Sequence, residues 1–158
     1  MVPDTRYFSR ALTGADNFSL CSWQMAISRE EVAMSKVSVR YIIDDVPAAM
    51  RFYTTLLGFT VERDASPAFA SIVRDGVRLL LSGDGSSGKR PLPDGRPQKP
   101  GGWNRVHLEV TDLKAEVARL RAAGVSFRMN DIVSGPGGAQ IIIDDPSGNP
   151  VELFQPGH

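Results

Sequence analysis

One cysteine, Cys21, stands among 158 residues. That excludes an internal disulfide framework and any cysteine-built zinc site, and it fits a reducing compartment. No apolar run approaches the ~20 residues of a membrane-spanning helix, and the first residues carry no basic segment followed by an apolar core and cleavage site. Excess charge is missing as well. Lys plus Arg number 18 against 18 Asp plus Glu, so nothing supplies the electrostatic footprint needed for nucleic acid or an anionic membrane surface. These absences lead to the expectation of a soluble cytoplasmic protein with neither nucleic acid nor membrane as partner. What is present is ordinary globular usage, 42% hydrophobic and 23% charged, in a chain long enough for one domain with a real core.

Residues 1–35 mix Pro3, Gly14 and scattered aromatics with a short helix expected at Ser28–Ala33, where Ser28 can cap and Glu31 sits three residues on. They are expected to form an N-terminal extension, arm-like, ahead of a single domain over 36–156. From Val37 the pattern sharpens. Val37, Val39, Tyr41 and Ile43 alternate with Ser38, Arg40 and Ile42, the period-two signature of a strand with one face on a core. Asp45 is placed to cap a helix with Pro47 in its first turn. Val46, Met50, Tyr53 and Leu57 supply an apolar stripe, and Gly58 stands at the C-cap. Three strands follow, around Phe59–Val61, Ala68–Val73 and Val77–Leu81, giving the order βαβββ. Residues 84–102, rich in glycine and proline, read as a linker.

The pattern then restarts. Val106, Leu108 and Val110 alternate with Arg105, His107 and Glu109; Asp112 can cap a helix carrying Leu113, Val117 and Leu120; Gly124 closes it. Strands are expected at Val125–Phe127, Asp131–Ser134, Gln140–Ile143 and Val151–Phe154, with Gly135-Pro136-Gly137-Gly138 as a turn. Ile43-Asp44-Asp45-Val46 corresponds to Val110-Thr111-Asp112-Leu113, and Leu57-Gly58-Phe59 to Ala123-Gly124-Val125, at a period of about 67 residues. One fold unit is used twice: module 1 over 37–83 and module 2 over 103–156. The class is α+β. Two tandem βαβββ modules, each with a helix on one sheet face, leave a second face open, and pairing the open faces makes a cleft-lined, partly open β-barrel.

The last hairpin carries the most pointed signal. Ile141–Ile143 leads through Asp145-Pro146-Ser147-Gly148-Asn149, which reads as a turn, into Val151-Glu152-Leu153-Phe154. Glu152 interrupts an apolar run and should face away from Val151 and Leu153, because side chains alternate along a strand. This hairpin and the duplicated βαβββ pattern resemble the vicinal oxygen chelate superfamily, which includes glyoxalase I, extradiol dioxygenases and bleomycin-resistance proteins; the resemblance covers Val37 to Pro156.

In metal-dependent members of that superfamily four positions, two per module, hold a divalent ion. The resemblance carries them onto Ser38, Leu79, Arg105 and Glu152, and only Glu152 has a matching ligand type. Serine is a poor ligand, leucine none, and a guanidinium repels a divalent ion. No cofactor is therefore expected, and a divalent metal is the disfavoured alternative. Arg105 faces Glu152 in the family geometry, so its guanidinium is expected to replace the metal as counter-charge. Ser38, Arg40, Leu79, Trp103, Arg105, His107, Glu109 and Glu152 are the expected ligand-binding residues, with Trp103 as an aromatic surface at the cleft mouth.

Two function classes follow. One is a binding protein similar to bleomycin-resistance proteins, sequestering a small organic molecule without chemistry. The other is a lyase, isomerase or dioxygenase of the glyoxalase type, with His107 and Glu152 as candidate general base and acid. A dimeric interaction module that has lost its ligand is a third reading. The resemblance also implies a homodimer, since many relatives complete their clefts by pairing.

Overall fold

Aspartate, proline and glycine punctuate the first module where their chemistry demands. The computed structural model describes residues 37–157; Cys21, the extension over 1–35 and its expected helix lie outside the described residues. Strand β1 (Ser38–Ile42) runs into helix α1 (Val46–Leu57). Asp45 caps the helix, its Oδ1 accepting from the Ala48 N–H at 2.8 Å, which satisfies a donor the first turn otherwise leaves orphaned. Gly58 ends it at φ 69°, a left-handed conformation that a Cβ makes costly. Val46, Ala49, Phe52, Tyr53 and Leu57 form the buried stripe, while Met50 only packs at its margin.

Strands β2 (Thr60–Ala65), β3 (Phe69–Arg74) and β4 (Val77–Ser82) form an antiparallel meander, and β1 joins β4 in parallel to give the order β1-β4-β3-β2. A 3₁₀ turn at Ser87–Lys89 follows. It is tied down by Lys89 Nζ on the Ile43 carbonyl at 2.9 Å and on Asp44 Oδ1 at 3.0 Å. Gly88 passes so close to Arg40 that a Cβ there would lie 2.1 Å from the guanidinium.

The second module repeats the plan with β5 (Val106–Glu109), α2 (Leu113–Ala122), β6 (Ser126–Phe127), β7 (Val133–Gly135), β8 (Gly138–Asp144) and β9 (Pro150–Pro156). Its order is β5-β9-β8-β6, with β7 also on β8. Asp112 caps α2 as Asp45 caps α1, accepting from the Ala115 N–H at 2.9 Å. The described residues thus make two separate sheets and no closed barrel. None of their helices is long and apolar enough to cross a membrane.

Strand parity decides which side chains meet the helices. Tyr41, Ile43, Ala70, Ile72, Leu79 and Leu81 of the first module join Val106, Leu108, Ile141, Ile143, Val151 and Leu153 of the second in one continuous core. Each fully buried Leu or Ile there contributes about 1.5–3 kcal/mol. The start of β1 runs beyond this core: Val37 and Val39 are exposed although they share the parity of Tyr41.

A buried polar seam joins the modules. The Tyr41 hydroxyl donates to the Pro150 carbonyl and accepts from the Val106 N–H, both at 2.9 Å. Burial pushes this phenol up to about 12, against the opposing pull of the Val106 hydrogen bond. Asp145 folds the β8–β9 turn around its own carboxylate: Oδ1 accepts from the N–H groups of Ser147 and Asn149, both at 2.8 Å. Oδ2 accepts from Asn149 Nδ2 at 3.0 Å and from the Tyr53 hydroxyl at 3.2 Å. Asn149 Nδ2 also reaches the Ile42 carbonyl at 3.0 Å. Burial raises the Asp145 carboxyl above the usual carboxylate range, with the bonds from Asn149, Ser147 and Tyr53 pulling the other way. The turn expected from Pro146, Ser147 and Gly148 is therefore a turn, and also the joint between modules.

Candidate functional site

Alternation along β9 delivers Glu152 to the open face of the second sheet. Val151 and Leu153 are buried on the helix side, so Glu152 projects oppositely, level with Ile142 on β8 and His107 on β5. Its side chain is only 9% exposed. A carboxylate so enclosed needs partners, and it has two. Arg105 Nε donates to Oε2 at 2.5 Å, with Nη2 on the same oxygen, and His107 Nδ1 lies 3.1 Å from Oε1. Arg105 Nη1 also donates to the Trp103 carbonyl at 3.3 Å. The His107 ring leans on Phe154, centroids 4.8 Å apart.

Trp103 is 79% exposed, with the Arg128 guanidinium 5.8 Å from its ring centroid. Arg128 is itself held by Asp144 Oδ1 at 2.7 Å and by the carbonyls of Gly102 and Gly148 at 2.8 and 2.9 Å. Arg105, His107 and Glu152 are thus brought together, while Trp103 meets Arg105 through its backbone carbonyl and turns its ring to Arg128. Ser38 and Arg40 lie on the open face of the other sheet, where Arg40 Nη1 donates to Ser82 Oγ at 2.5 Å. Glu109, at the far end of β5, lines a separate groove of about 700 Å³ with Leu57, Arg74 and Glu116.

Leu79 is corrected. It is fully buried in the core and not on the open face that carries Arg40. In the register β1 sets Arg40 beside Leu80 and Val39 beside Leu79, as β5 sets His107 beside Glu152 and Val106 beside Val151. Leu80 is therefore the counterpart of Glu152, one residue on from the position read from sequence. A one-residue slip exchanges the faces of a strand, and module 1 has no charged interruption in β4's apolar Leu79–Leu81 run to mark the register. Phe154, Ile142 and Arg128 went unnoticed in the sequence; strand parity with Glu152 was the available signal for the first two.

The residues present do not fit the divalent ion of metal-dependent relatives. The carried-over positions offer an exposed serine, a leucine whether numbered 79 or 80, and a guanidinium. Glu152 already has both oxygens engaged, and among the described residues no three His, Cys, Asp or Glu side chains gather to hold a metal. What the arrangement can do is offer a fixed cation, a carboxylate-anchored imidazole and aromatic surface on one open sheet face.

Comparison with known proteins agrees with the fold. The family model of the Glyoxalase/Bleomycin resistance protein/Dioxygenase superfamily matches residues 37–153. CFP32 of Mycobacterium bovis, whose given name is that of a glyoxylase, is 30% identical over 112 residues, 70% of this chain. The chain spans only 41% of that relative's length. Among solved structures, TnmS3, an antibiotic binding protein from Streptomyces sp. CB03234, superposes with TM-score 0.58 at 26% identity, covering 79% of this chain and 98% of that one. Lactoylglutathione lyase from Agrobacterium tumefaciens gives TM-score 0.60 at 20% identity, covering 77% and 93%; at that identity the likeness concerns fold alone.

Proposed function

The chain belongs to the Glyoxalase/Bleomycin resistance protein/Dioxygenase superfamily, and from that premise we propose that it binds a small organic molecule on the open sheet face around Arg105, His107, Glu152 and Trp103, without a metal ion. The observation that carries this reading is the Arg105–Glu152 ion pair. A guanidinium occupies the one acidic side chain a metal would need, and its planar fork supplies donors in fixed directions to an oxygen-bearing ligand. Trp103 and Phe154 offer apolar surface beside it. The likeness to an antibiotic binding protein covered over 98% of its length supports a binding role, although the ligand named there belongs to that protein.

The test is metal content of the protein purified without chelator, then thermal midpoints with Ni²⁺, Fe²⁺, Mn²⁺ and Zn²⁺, then a small-molecule panel in EDTA. A ligand that binds the folded state raises the midpoint by mass action. The expected result is no stoichiometric metal, no shift with the ions, and a panel compound whose shift survives EDTA and is lost in Arg105→Ala. That variant itself is expected to cost about 1–3 kcal/mol, because it strands a nearly enclosed carboxylate. Glu152→Gln costs less, since Arg105, 31% exposed, can turn to water. Near-stoichiometric metal that disappears in Glu152→Ala overturns the reading.

We extend the proposal to a homodimer, supported by apolar side chains left exposed at Val39, Val61 and Trp103 and by sheets that do not close on themselves. Sedimentation equilibrium of the full chain is expected to give twice the chain mass of 17.2 kDa; a monomer at every concentration refutes it.

A further inference from the structure

The contact between His107 and Glu152 carries more than a binding role. A carboxylate at neutral pH only accepts hydrogen bonds, and Glu152 Oε2 is taken by Arg105. Oε1, 3.1 Å from His107 Nδ1, therefore calls for the tautomer with its hydrogen on Nδ1. In that tautomer the Nε2 lone pair is bare. Among the described residues nothing bonds Nε2, and the side chain is 45% exposed, with its ring tilted against Phe154. An imidazole whose one nitrogen is fixed by a carboxylate and whose other faces solvent is the arrangement that makes histidine a proton acceptor. The acid and base roles read separately from the sequence thus fall to one hydrogen-bonded pair.

We propose that His107 is a metal-independent general base positioned by Glu152, acting on a carbon acid whose conjugate base is an oxyanion, with Arg105 taking up the negative charge. The inference rests on the binding site proposed above. His107 Nε2 takes a proton from the ligand carbon, and the C–H electron pair moves through the ligand to oxygen. The oxyanion so formed lies toward the remaining N–H groups of Arg105, where a cation stabilises developing charge. Nothing is oxidised or reduced. His107 becomes imidazolium between the ligand anion and the Glu152 carboxylate and then returns its proton to product or solvent. His107 is the catalytic residue here and Glu152 a positioning residue.

Two measurements on the full chain test this. In ¹⁵N-histidine-labelled protein at a pH where the imidazole is neutral, only two residues report, His107 and His158, and His158→Gln separates them. His107 is expected to show a protonated Nδ1 and a bare Nε2; the opposite tautomer overturns the role of Glu152. The second measurement uses 5-nitrobenzisoxazole in EDTA, a probe that needs only a base: its C3 proton leaves, a nitrile forms, the N–O bond breaks and the phenolate oxygen keeps the pair. Wild-type turnover is expected to exceed that of His107→Gln by about 100-fold or more. Glu152→Gln is expected to lose about tenfold or more and to lose the fixed tautomer in the ¹⁵N spectrum. Equal turnover in wild type and His107→Gln, both folded by thermal midpoint, overturns the proposal. If a panel compound still raises the midpoint in that case, the binding reading stands without the base; if no compound does, both fall together.

Discussion

Asp145→Ala is expected to cost about 3–5 kcal/mol of unfolding free energy, the largest single effect we anticipate. The carboxylate accepts four hydrogen bonds, from the N–H groups of Ser147 and Asn149, from Asn149 Nδ2 and from the Tyr53 hydroxyl. Asp145 and Asn149 are each 3% exposed, so water cannot easily replace what is removed. Deleting the acceptor leaves several donors stranded, and a buried unsatisfied donor costs about 1–3 kcal/mol. Urea unfolding checks this, as a lower midpoint at unchanged slope. A loss no larger than that of an ordinary surface substitution would mean that water takes the place of the carboxylate.

The same residue predicts a sign of pH dependence. The Asp145 carboxyl titrates above its ordinary value in the folded state, so between the unfolded and folded values the native protein binds the extra proton. Its favourable contribution is complete below the unfolded value of ~3.9 and is lost as pH rises through the folded one. The stability difference between wild type and Asp145→Asn, in which groups common to both cancel, should therefore move in favour of wild type as pH falls. A difference that is flat, or moves the other way, places the folded carboxyl at or below its ordinary value.

Tyr41→Phe comes second, at about 2–3 kcal/mol. The ring keeps its place in the core, so little packing is lost, but one hydroxyl serves both the Val106 N–H and the Pro150 carbonyl. Both belong to strands of the second module, whereas Tyr41 comes from β1 of the first. Phenylalanine leaves a donor and an acceptor facing it unpaired in a buried place. Thermal unfolding of Tyr41→Phe beside Tyr41→Leu separates the hydroxyl from the ring: the first should account for a large share of the loss seen in the second. If Tyr41→Phe is neutral, the two backbone groups find each other or water.

What the sequence determined by itself was whatever depends on local chemistry. The caps at Asp45, Asp112 and Gly58, the strand alternation, the duplication at about 67 residues and the outward turn of Glu152 are properties of a few neighbouring residues, and the structure repeats them. The pairing of Arg105 with Glu152 was legible only through resemblance, because 47 residues separate the partners. Tertiary structure decided the rest. Whether Leu79 or Leu80 answers to Glu152 turns on strand register, which an unbroken Leu-Leu-Leu run does not announce. That His107 and Glu152 form one hydrogen-bonded unit rather than two separate groups depends on β5 and β9 lying in parallel at one register. That Asp145 and Tyr41 hold the modules together depends on which polar groups lie across from them once the two sheets share one core. Local propensity sets the parts, but unsatisfied polar groups choose partners only after distant segments meet.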